Sequence, residues 1–358
     1  MAKYGFSSHL IKTLSVFVTL LVLLTSLKGI ALYSPAMKKV LLTMITSCVS
    51  LMLLAQTPVK TNGKLRVEGG KIVNRKGAPP QLRGISFSWS IWGGRKYYNP
   101  AAVSWLDNDF KASVIRASMA VQPDNGYLQQ PDEQKQLIVS VIDQAIKDGV
   151  YVLIDWHDHN GHLHVEQSKK FFGEMAQKYK GVPNVMYEIW NEPERVTWDT
   201  VKNYAQQVIT EIRKYDTDNL IIVGSPHWDQ DVDIAAASPI TGFKNIAYSF
   251  HFYASDKSHQ ERLRARADNA IKRGLPLFVT EWGVGEADGN GVFDMEKNAA
   301  WLKWMEDNKL SWANWNITDK KETTAILLPG APATGNWTED QLTPAGNYIR
   351  KVLRELNK

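Results

Sequence analysis

Two short apolar runs in this chain each lead into a glutamate. Asn184-Val185-Met186-Tyr187-Glu188-Ile189-Trp190 continues as Asn191-Glu192-Pro193, and Pro276-Leu277-Phe278-Val279-Thr280 continues as Glu281-Trp282-Gly283. Both runs are β-branched and aromatic and bounded by Pro or Gly, as short buried strands are. Two carboxylates carried on separate strand ends can divide an acid/base role from a nucleophilic one, the arrangement that cleaves glycosidic bonds. The division requires unlike surroundings, because the acid must keep a proton near neutral pH while the nucleophile stays ionised. Retention of configuration calls for carboxyls about 5–5.5 Å apart, and inversion for roughly 6.5–9.5 Å.

Other polar and aromatic residues fall at strand ends. They are Arg116 in Val114-Ile115-Arg116-Ala117-Ser118, His157 after Leu153-Ile154-Asp155-Trp156, and Asn191 beside Glu192. His251 and Tyr253 lie in Ser249-Phe250-His251-Phe252-Tyr253, and Trp315 in Trp312-Ala313-Asn314-Trp315-Asn316. Taken singly, a buried Arg is usually a salt-bridged structural group and a lone His a satisfied core residue. A barrel changes that reading, because it brings all its strand ends to one mouth. A two-histidine metal site is the rival assignment, given His157-Asp158-His159-Asn160-Gly161-His162-Leu163-His164. The spacing fits no closed zinc set, so no metal and no cofactor is expected.

The elements that must position these residues alternate. Strands are expected at Leu82–Ser86, Ser113–Ala117, Val150–Asp155, Val185–Trp190, Leu220–Val223, Ala247–His251, Leu277–Glu281 and Trp312–Asn316. Helical patterns lie between them at Asp132–Lys147, Ser168–Lys180, Trp198–Tyr215, Glu261–Arg273 and Asp294–Asp307, with a final helix at Pro344–Leu356. Pro131 and Thr343-Pro344 suit helix starts; Gly149, Gly181 and Gly274 suit helix ends. Eight such units in series predict a single-domain α/β fold, a (β/α)8 TIM barrel. Lys64–Val67 and Lys71–Asn74 flank Glu68-Gly69-Gly70 and read as a short hairpin closing the barrel bottom. A doubly wound open sheet would favour a Gly-rich phosphate loop after the first strand; the turn here is Ser86-Phe87-Ser88-Trp89-Ser90-Ile91-Trp92-Gly93-Gly94.

Ile189-Trp190-Asn191-Glu192-Pro193, with His251-Phe252-Tyr253 and Phe278-Val279-Thr280-Glu281-Trp282-Gly283, resembles the signature segments of glycoside hydrolase family 5. The resemblance runs from about Lys64 to the C-terminus and is strongest to the bacterial-type endo-β-1,4-glucanases of that family. It implies a retaining endo-β-1,4-glucanase acting on cellulose or mixed-linkage β-glucan through a covalent glycosyl-enzyme, with Glu192 as acid/base and Glu281 as nucleophile. Arg116 and Tyr253 are expected to donate hydrogen bonds to the nucleophile, and Asn191 to bind the sugar 2-hydroxyl. His157 and His251 match positions lining the cleft at the cleavage point, where they would hydrogen-bond substrate or the catalytic carboxyls. Sugar C–H faces stack on aromatic planes. By the resemblance Trp315 and Trp92 are glycone-side platforms and Trp228 an aglycone-side one, while Lys320 and Glu322 bind glycone hydroxyls. The chain departs from many relatives at Ser88-Trp89, where they carry a His-Gly pair. A β-mannanase or xylanase of the same fold, or a catalytically silent carbohydrate-binding protein, is the alternative.

Composition sets the remaining bounds. Of 358 residues, 44% are hydrophobic and 13 are Trp, enough for one large core and for aromatic platforms besides. Residues 1–55 hold five Lys and no Arg or acidic residue; without those five, 37 of the 42 basic residues remain against 37 acidic ones. The net charge therefore belongs to the N-terminal segment, and no nucleic-acid footprint is expected in the rest. Met37-Lys38-Lys39, the apolar run Val40–Leu54 and Ala55 read as a secretory signal over 37–55, which predicts an exported protein. Residues 1–36 form an upstream hydrophobic segment, and the alternative is a membrane anchor within 10–33. Residues 56–63 read as a short polar linker and 64–358 as the catalytic domain, expected to act as a monomer. The sole cysteine, Cys48, lies in the leader, so no disulfide or thiol chemistry is expected beyond it.

Overall fold

In this computed structural model the described residues are 56–357. The expected secretory signal, the membrane-anchor alternative and Cys48 lie outside them.

The chain first forms a small cap. Helix α1 (Pro58–Asn62) starts at Thr57, whose side chain accepts from Lys60 N, and has Pro at its first turn. Strands β1 (Arg66–Glu68) and β2 (Lys71–Val73) pair as the expected hairpin. The polar linker expected over 56–63 differs in the structure. Pro58–Asn62 is helical and attached to the barrel, with Val59 N donating to Gly149 O at 3.0 Å. Gly149 ends the helix before the third barrel strand in the left-handed region, φ 79°; a Cβ there would strike the Thr57 side chain at 2.5 Å.

Eight strands then close a parallel barrel: β3 (Arg83–Phe87), β4 (Val114–Ala120), β5 (Tyr151–His157), β6 (Val185–Glu188), β7 (Ile221–Val223), β8 (Ile246–Tyr253), β9 (Leu277–Gly283) and β10 (Trp312–Ile317), with β10 returning to β3. All eight expected strands are present. Between them lie α2 (Pro100–Asn108), α3 (Pro131–Asp148), α4 (Val165–Tyr179), α5 (Trp198–Arg213), α6 (Val232–Ala237), α7 (Glu261–Lys272) and α8 (Met295–Asp307), and α9 (Pro344–Leu356) closes the ring. Helices α2 and α6 are additions to the expected set, although Asn99-Pro100 signals the start of α2: the Asn99 side chain accepts from Ala102 N and Pro sits at the first turn.

Alternation along the strands divides the interior. Ile115, Ala117, Met119, Val152, Ile154 and Trp156 point out into the core shared with the helices. Val114, Leu153, Met186, Ala247 and Phe278 point inward, and with Leu65 and Ile72 of the cap they form a second apolar cluster at the barrel bottom. One pleat higher the inward positions turn polar: Arg116, Asp155, Glu188, Ser249 and Thr280 are all fully buried. The barrel is thus sealed with hydrocarbon below and charge above.

Strand β9 contains an irregularity that decides where its carboxylate points. Ser249 to His251 on β8 faces Phe278 to Glu281 on β9, two steps against three. Trp312 to Asn314 on β10 likewise faces Val279 to Trp282. An extra residue of this kind is a β-bulge, which re-aims side chains near active sites. Plain alternation from Phe278 would send Thr280 inward and Glu281 out among the helices. With the bulge, both face in.

The barrel ends are tied by Arg83, whose guanidinium bonds both Glu306 oxygens on α8 at 2.7 and 2.6 Å and reaches Leu356 O on α9 at 3.3 Å. The side chain is 10% exposed. Charge-assisted bonds at buried sites contribute about 1.5–3 kcal/mol. Arg83→Met is therefore expected to lower unfolding free energy by about 1.5–3 kcal/mol in urea titration, with kcat/KM of the folded enzyme unchanged because Arg83 lies at the opposite end from the cleft.

Candidate active site

Arg116 stands at the centre of the charged layer. Its Nε and Nη2 bond the two Glu188 oxygens at 2.7 and 3.3 Å, and Nη2 lies 2.9 Å from Asp155 Oδ2 and also donates to Asn191 Oδ1. Its Nη1 donates to Glu281 Oε2 at 2.8 Å. Neighbouring carboxylates hold the guanidinium well above its ordinary value against the opposing effect of burial, so it is a permanent cation.

Glu281 is nearly sealed. Its second oxygen accepts from Tyr253 OH at 2.7 Å. Gly283 makes that contact possible: a Cβ there would meet the Tyr253 ring at 2.4 Å. The Gly two residues past the glutamate is thus a packing requirement of the Tyr–Glu pair. Burial is the largest influence on Glu281 and pushes its carboxyl above the usual value, opposed chiefly by Arg116, then His251, with the Tyr253 bond also lowering it.

Glu192 follows β6 on the loop Asn191–Pro193. Its Oε1 pairs with His251 Nδ1 at 2.9 Å, and its Oε2 lies 3.7 Å from His159 Nδ1. A carboxylate oxygen of Glu192, a ring nitrogen of His251 and a carboxylate oxygen of Glu281 all lie within 4.8 Å of one another. Oxygens this close fit the narrow carboxyl spacing of double displacement, about 5–5.5 Å, better than the roughly 6.5–9.5 Å by which an inverting site admits a water. Burial acts to raise Glu192, but the hydrogen bond and charge of His251 outweigh it and hold the carboxyl below its ordinary value. That order is the reverse of the one an acid and a nucleophile need. The resolution lies in the 2.9 Å bond, which carries one proton between Glu192 and His251. With the proton on nitrogen the pair is an ion pair; with it on oxygen Glu192 is a neutral acid. The two groups titrate as a unit.

The remaining expected residues surround this pair. One cavity of about 530 Å³ is lined by Trp92, Trp315, Lys320, Glu322, His157 and Asn191, together with Glu192, Tyr253 and Glu281. A second, of about 450 Å³, is lined by Trp228, His251 and His259 and shares Glu192, Tyr253 and His159 with the first. The two are halves of one cleft with Glu192 at the join. Asn191 gives its oxygen to Arg116, which leaves the amide NH2 for a ligand. His157 differs from His251: its Nδ1 is taken by Asp155 at 2.7 Å, and its ring stacks parallel on Trp315 at 5.3 Å. It backs the Trp315 ring, and its Nδ1 partner is Asp155 where that of His251 is Glu192. Lys320 pairs with Glu322 at 2.6 Å.

The expected set lacked several residues of the site. Trp89 lies edge-on to His157 at 4.2 Å and stacks on His159 at 5.8 Å, so the Ser88-Trp89 departure puts a further ring into the half of the cleft lined by Trp92 and Trp315. His159 lines both halves. Asp155 and Glu188 are buried partners of Arg116, detectable as charges at inward positions of apolar strands. His227, Trp228 and Asp229 form a turn with φ of 53°, 56° and 59°. Three consecutive non-glycine residues in the left-handed region cost on the order of 1–2 kcal/mol each. The turn is held by His227 N and Trp228 N donating to Glu194 O and Pro193 O, which ties it to the loop bearing Glu192.

Among the described residues, Glu188–Asp229–His251 and Glu192–His251–Glu281 are compact enough to share an ion. Most of their donors are already committed, Glu188 and Glu281 to Arg116 and His251 to Glu192 and Thr280; Asp229 Oδ2 has no hydrogen-bond partner among the described residues. The geometry serves hydrogen bonding.

A model of the cellulase family, glycosyl hydrolase family 5, matches residues 73–321. The chain belongs to glycosyl hydrolase family 5. It is 41% identical over 320 residues to Endoglucanase Z of Dickeya dadantii, covering 88% of this chain and 72% of that one. It is 39% identical to Endoglucanase 5 of Pectobacterium carotovorum subsp. carotovorum, covering 88% and 62%. A solved structure from Cytophaga hutchinsonii superposes with a TM-score of 0.82 at 44% identity, covering 84% of this chain and 98% of that one. The catalytic domain of Thermobifida fusca endoglucanase Cel5A (E5) does so at 0.79 and 34%, covering 84% and 100%; a variant of that domain was solved in complex with cellotetraose. The family 5 barrel is therefore shared over the whole described fold.

Tyr253→Phe removes one of the two direct donors to Glu281. The carboxyl pKa rises further, and activity that needs the ionised form fails earlier as pH falls. We expect the acidic limb of the kcat/KM–pH profile to move to higher pH, with kcat/KM lower by about 10²-fold at the optimum.

Proposed function

We propose that this chain is a retaining endo-β-1,4-glucanase that hydrolyses internal bonds of cellulose or mixed-linkage β-glucan. The observation that carries this reading is the pair of carboxylates within 4.8 Å at the join of a two-sided cleft. A polymer can lie across both halves, with Trp315 and Trp92 under its glycone end and Trp228 under its aglycone end.

Glu281, anchored by Arg116 and Tyr253, attacks the anomeric carbon. Glu192 gives its proton to the departing glycosidic oxygen, and the anomeric carbon–oxygen bond breaks as the glycosyl-enzyme ester forms. Glu192 then takes a proton from water, whose oxygen attacks the same carbon and releases Glu281. The Asn191 amide meets the 2-hydroxyl, a contact that strengthens as the sugar approaches an oxocarbenium ion. The fixed donors on Glu281 and the proton shared by Glu192 and His251 support this division of roles.

The open, Trp-paved cleft favours soluble or amorphous glucan chains. An apolar leader with basic residues at 37–55 favours export, which suits a polymer that stays outside the cell. Among the described residues no helix is long and apolar enough to cross a membrane. We take the working form to be a monomer.

Glu192→Ala with azide should regain activity and yield a β-glycosyl azide by NMR; an α-azide would make Glu192 the nucleophile. Glu281→Gln should abolish hydrolysis while retaining cello-oligosaccharide binding in calorimetry, whereas a carbohydrate-binding protein would lose nothing. Side-by-side rates on carboxymethylcellulose, barley glucan, mannan and xylan should rank the two glucans first.

A further inference from the structure

We propose that Asp229 is a positioning residue for the acid/base glutamate, acting through His251, whose far nitrogen it faces from beneath the cleft. The proposal rests on the reading of Glu192 as acid/base.

Asp229 is fully buried. Its Oδ1 accepts from Ser225 N, but its Oδ2 has no hydrogen-bond partner among the described residues. The group that Oδ2 faces is His251 Nε2, at 3.5 Å. Leaving a carboxylate oxygen unpaired in the interior is costly unless a neighbouring charge compensates it, and the imidazole is placed to do so. His251 thus lies between two carboxylates: Glu192 at Nδ1, 2.9 Å away, and Asp229 at Nε2.

The other charged and titratable groups around His251 leave Asp229 distinct. Glu188 on β6 lies 3.7 Å from Nε2, but both its oxygens are bound by Arg116 of β4. Glu281 on β9 is held by Arg116 and Tyr253. Asp155 and His157 on β5 are paired with each other. His159 and His259 line the same half of the cleft, His159 near Glu192 and His259 accepting from Tyr253 N. Thr280 Oγ1 meets Nε2 at 2.8 Å and fixes the ring plane. Among these groups, Asp229 is the carboxyl whose facing oxygen has neither a cation nor a hydrogen bond apart from the His251 ring. Burial pushes that carboxyl well above its ordinary value and the charge of His251 acts to lower it, so the ionisation of Asp229 is tied to protonation of His251.

Its effect has a definite sign. A negative charge beside Nε2 favours the protonated imidazole, and therefore keeps the proton on the His251–Glu192 bond to higher pH. Over one catalytic cycle that proton leaves with the aglycone and returns from the attacking water, so Asp229 neither gains nor loses one. The left-handed turn places Asp229 one residue after Trp228, so the same strained backbone aims one side chain into the cleft and the next beneath His251.

Asp229→Asn keeps the Oδ1 acceptor and deletes the charge. On aryl β-cellobiosides, loss of acid assistance affects poor leaving groups and spares good ones. We expect kcat/KM for a methoxyphenyl β-cellobioside to fall about tenfold or more, with little change for the 2,4-dinitrophenyl compound. The basic limb of the profile should move to lower pH. Asp229→Ser, whose hydroxyl can still accept from Ser225 N, should shift both readouts in the same direction. An equal loss on both leaving groups with an unmoved basic limb, or no loss at all, overturns the proposal and leaves Glu192 as acid/base. If Glu192→Ala itself loses no more on the poor leaving group than on the good one, the parent reading fails instead.

Discussion

A single guanidinium organises the top of this barrel. Arg116 is inaccessible to solvent, and all three of its nitrogens are used, on Glu188, Asp155, Asn191 and Glu281. Buried ion pairs seldom stabilise a fold relative to hydrocarbon, but removing one member strands the others at a cost of about 3–5 kcal/mol. Here the cluster costs stability and supplies alignment. Strand β4 presents the cation, and β5, β6 and β9 must each present a carboxylate at the same height, so barrel closure and site assembly are the same event.

The apolar cluster below makes this arrangement tolerable. Leu153 lies one pleat beneath Asp155, Met186 beneath Glu188, and Val114 beneath Arg116. Hydrocarbon fills the lower barrel and holds the strand register, while the polar layer above is close-packed against it. Two departures from regular backbone lie at the top: the β9 bulge, which turns Glu281 inward, and the left-handed turn at His227–Asp229. Strain of this kind persists where surrounding structure over-determines it and is concentrated at functional sites.

Much of this was legible in the sequence. Strand and helix periodicity identified eight βα units, and the motif residues Glu192, Glu281, His251 and Tyr253 line one cleft, with Arg116 buried beneath it, because strand ends converge. Period-two alternation, however, would have sent Glu281 outward; its direction depends on one inserted residue that only strand pairing reveals. Asp229 sits in a polar loop sequence, Pro226-His227-Trp228-Asp229, whose three successive left-handed residues include no Gly, and His and Asp only favour that region weakly. Trp89 read as a departure from a family pattern, and its stacking on His159 depends on loop geometry. His157 and His251 looked alike in sequence, but their partners, Asp155 and Glu192, separate their roles.

The burial of Arg116 and its partners bears on how the enzyme meets dissolved ions. Mobile ions screen charges that water can reach, over roughly 8–10 Å at ordinary ionic strength, and act far less on charges enclosed in protein. The surface pairs, such as Lys303 with Asp307 or Arg66 with Glu68, are open to brine. The cation beneath the cleft and its partners Asp155 and Glu188 are not, so concentrated electrolyte acts on the exterior of this barrel far more than on the charged layer that aligns its carboxylates.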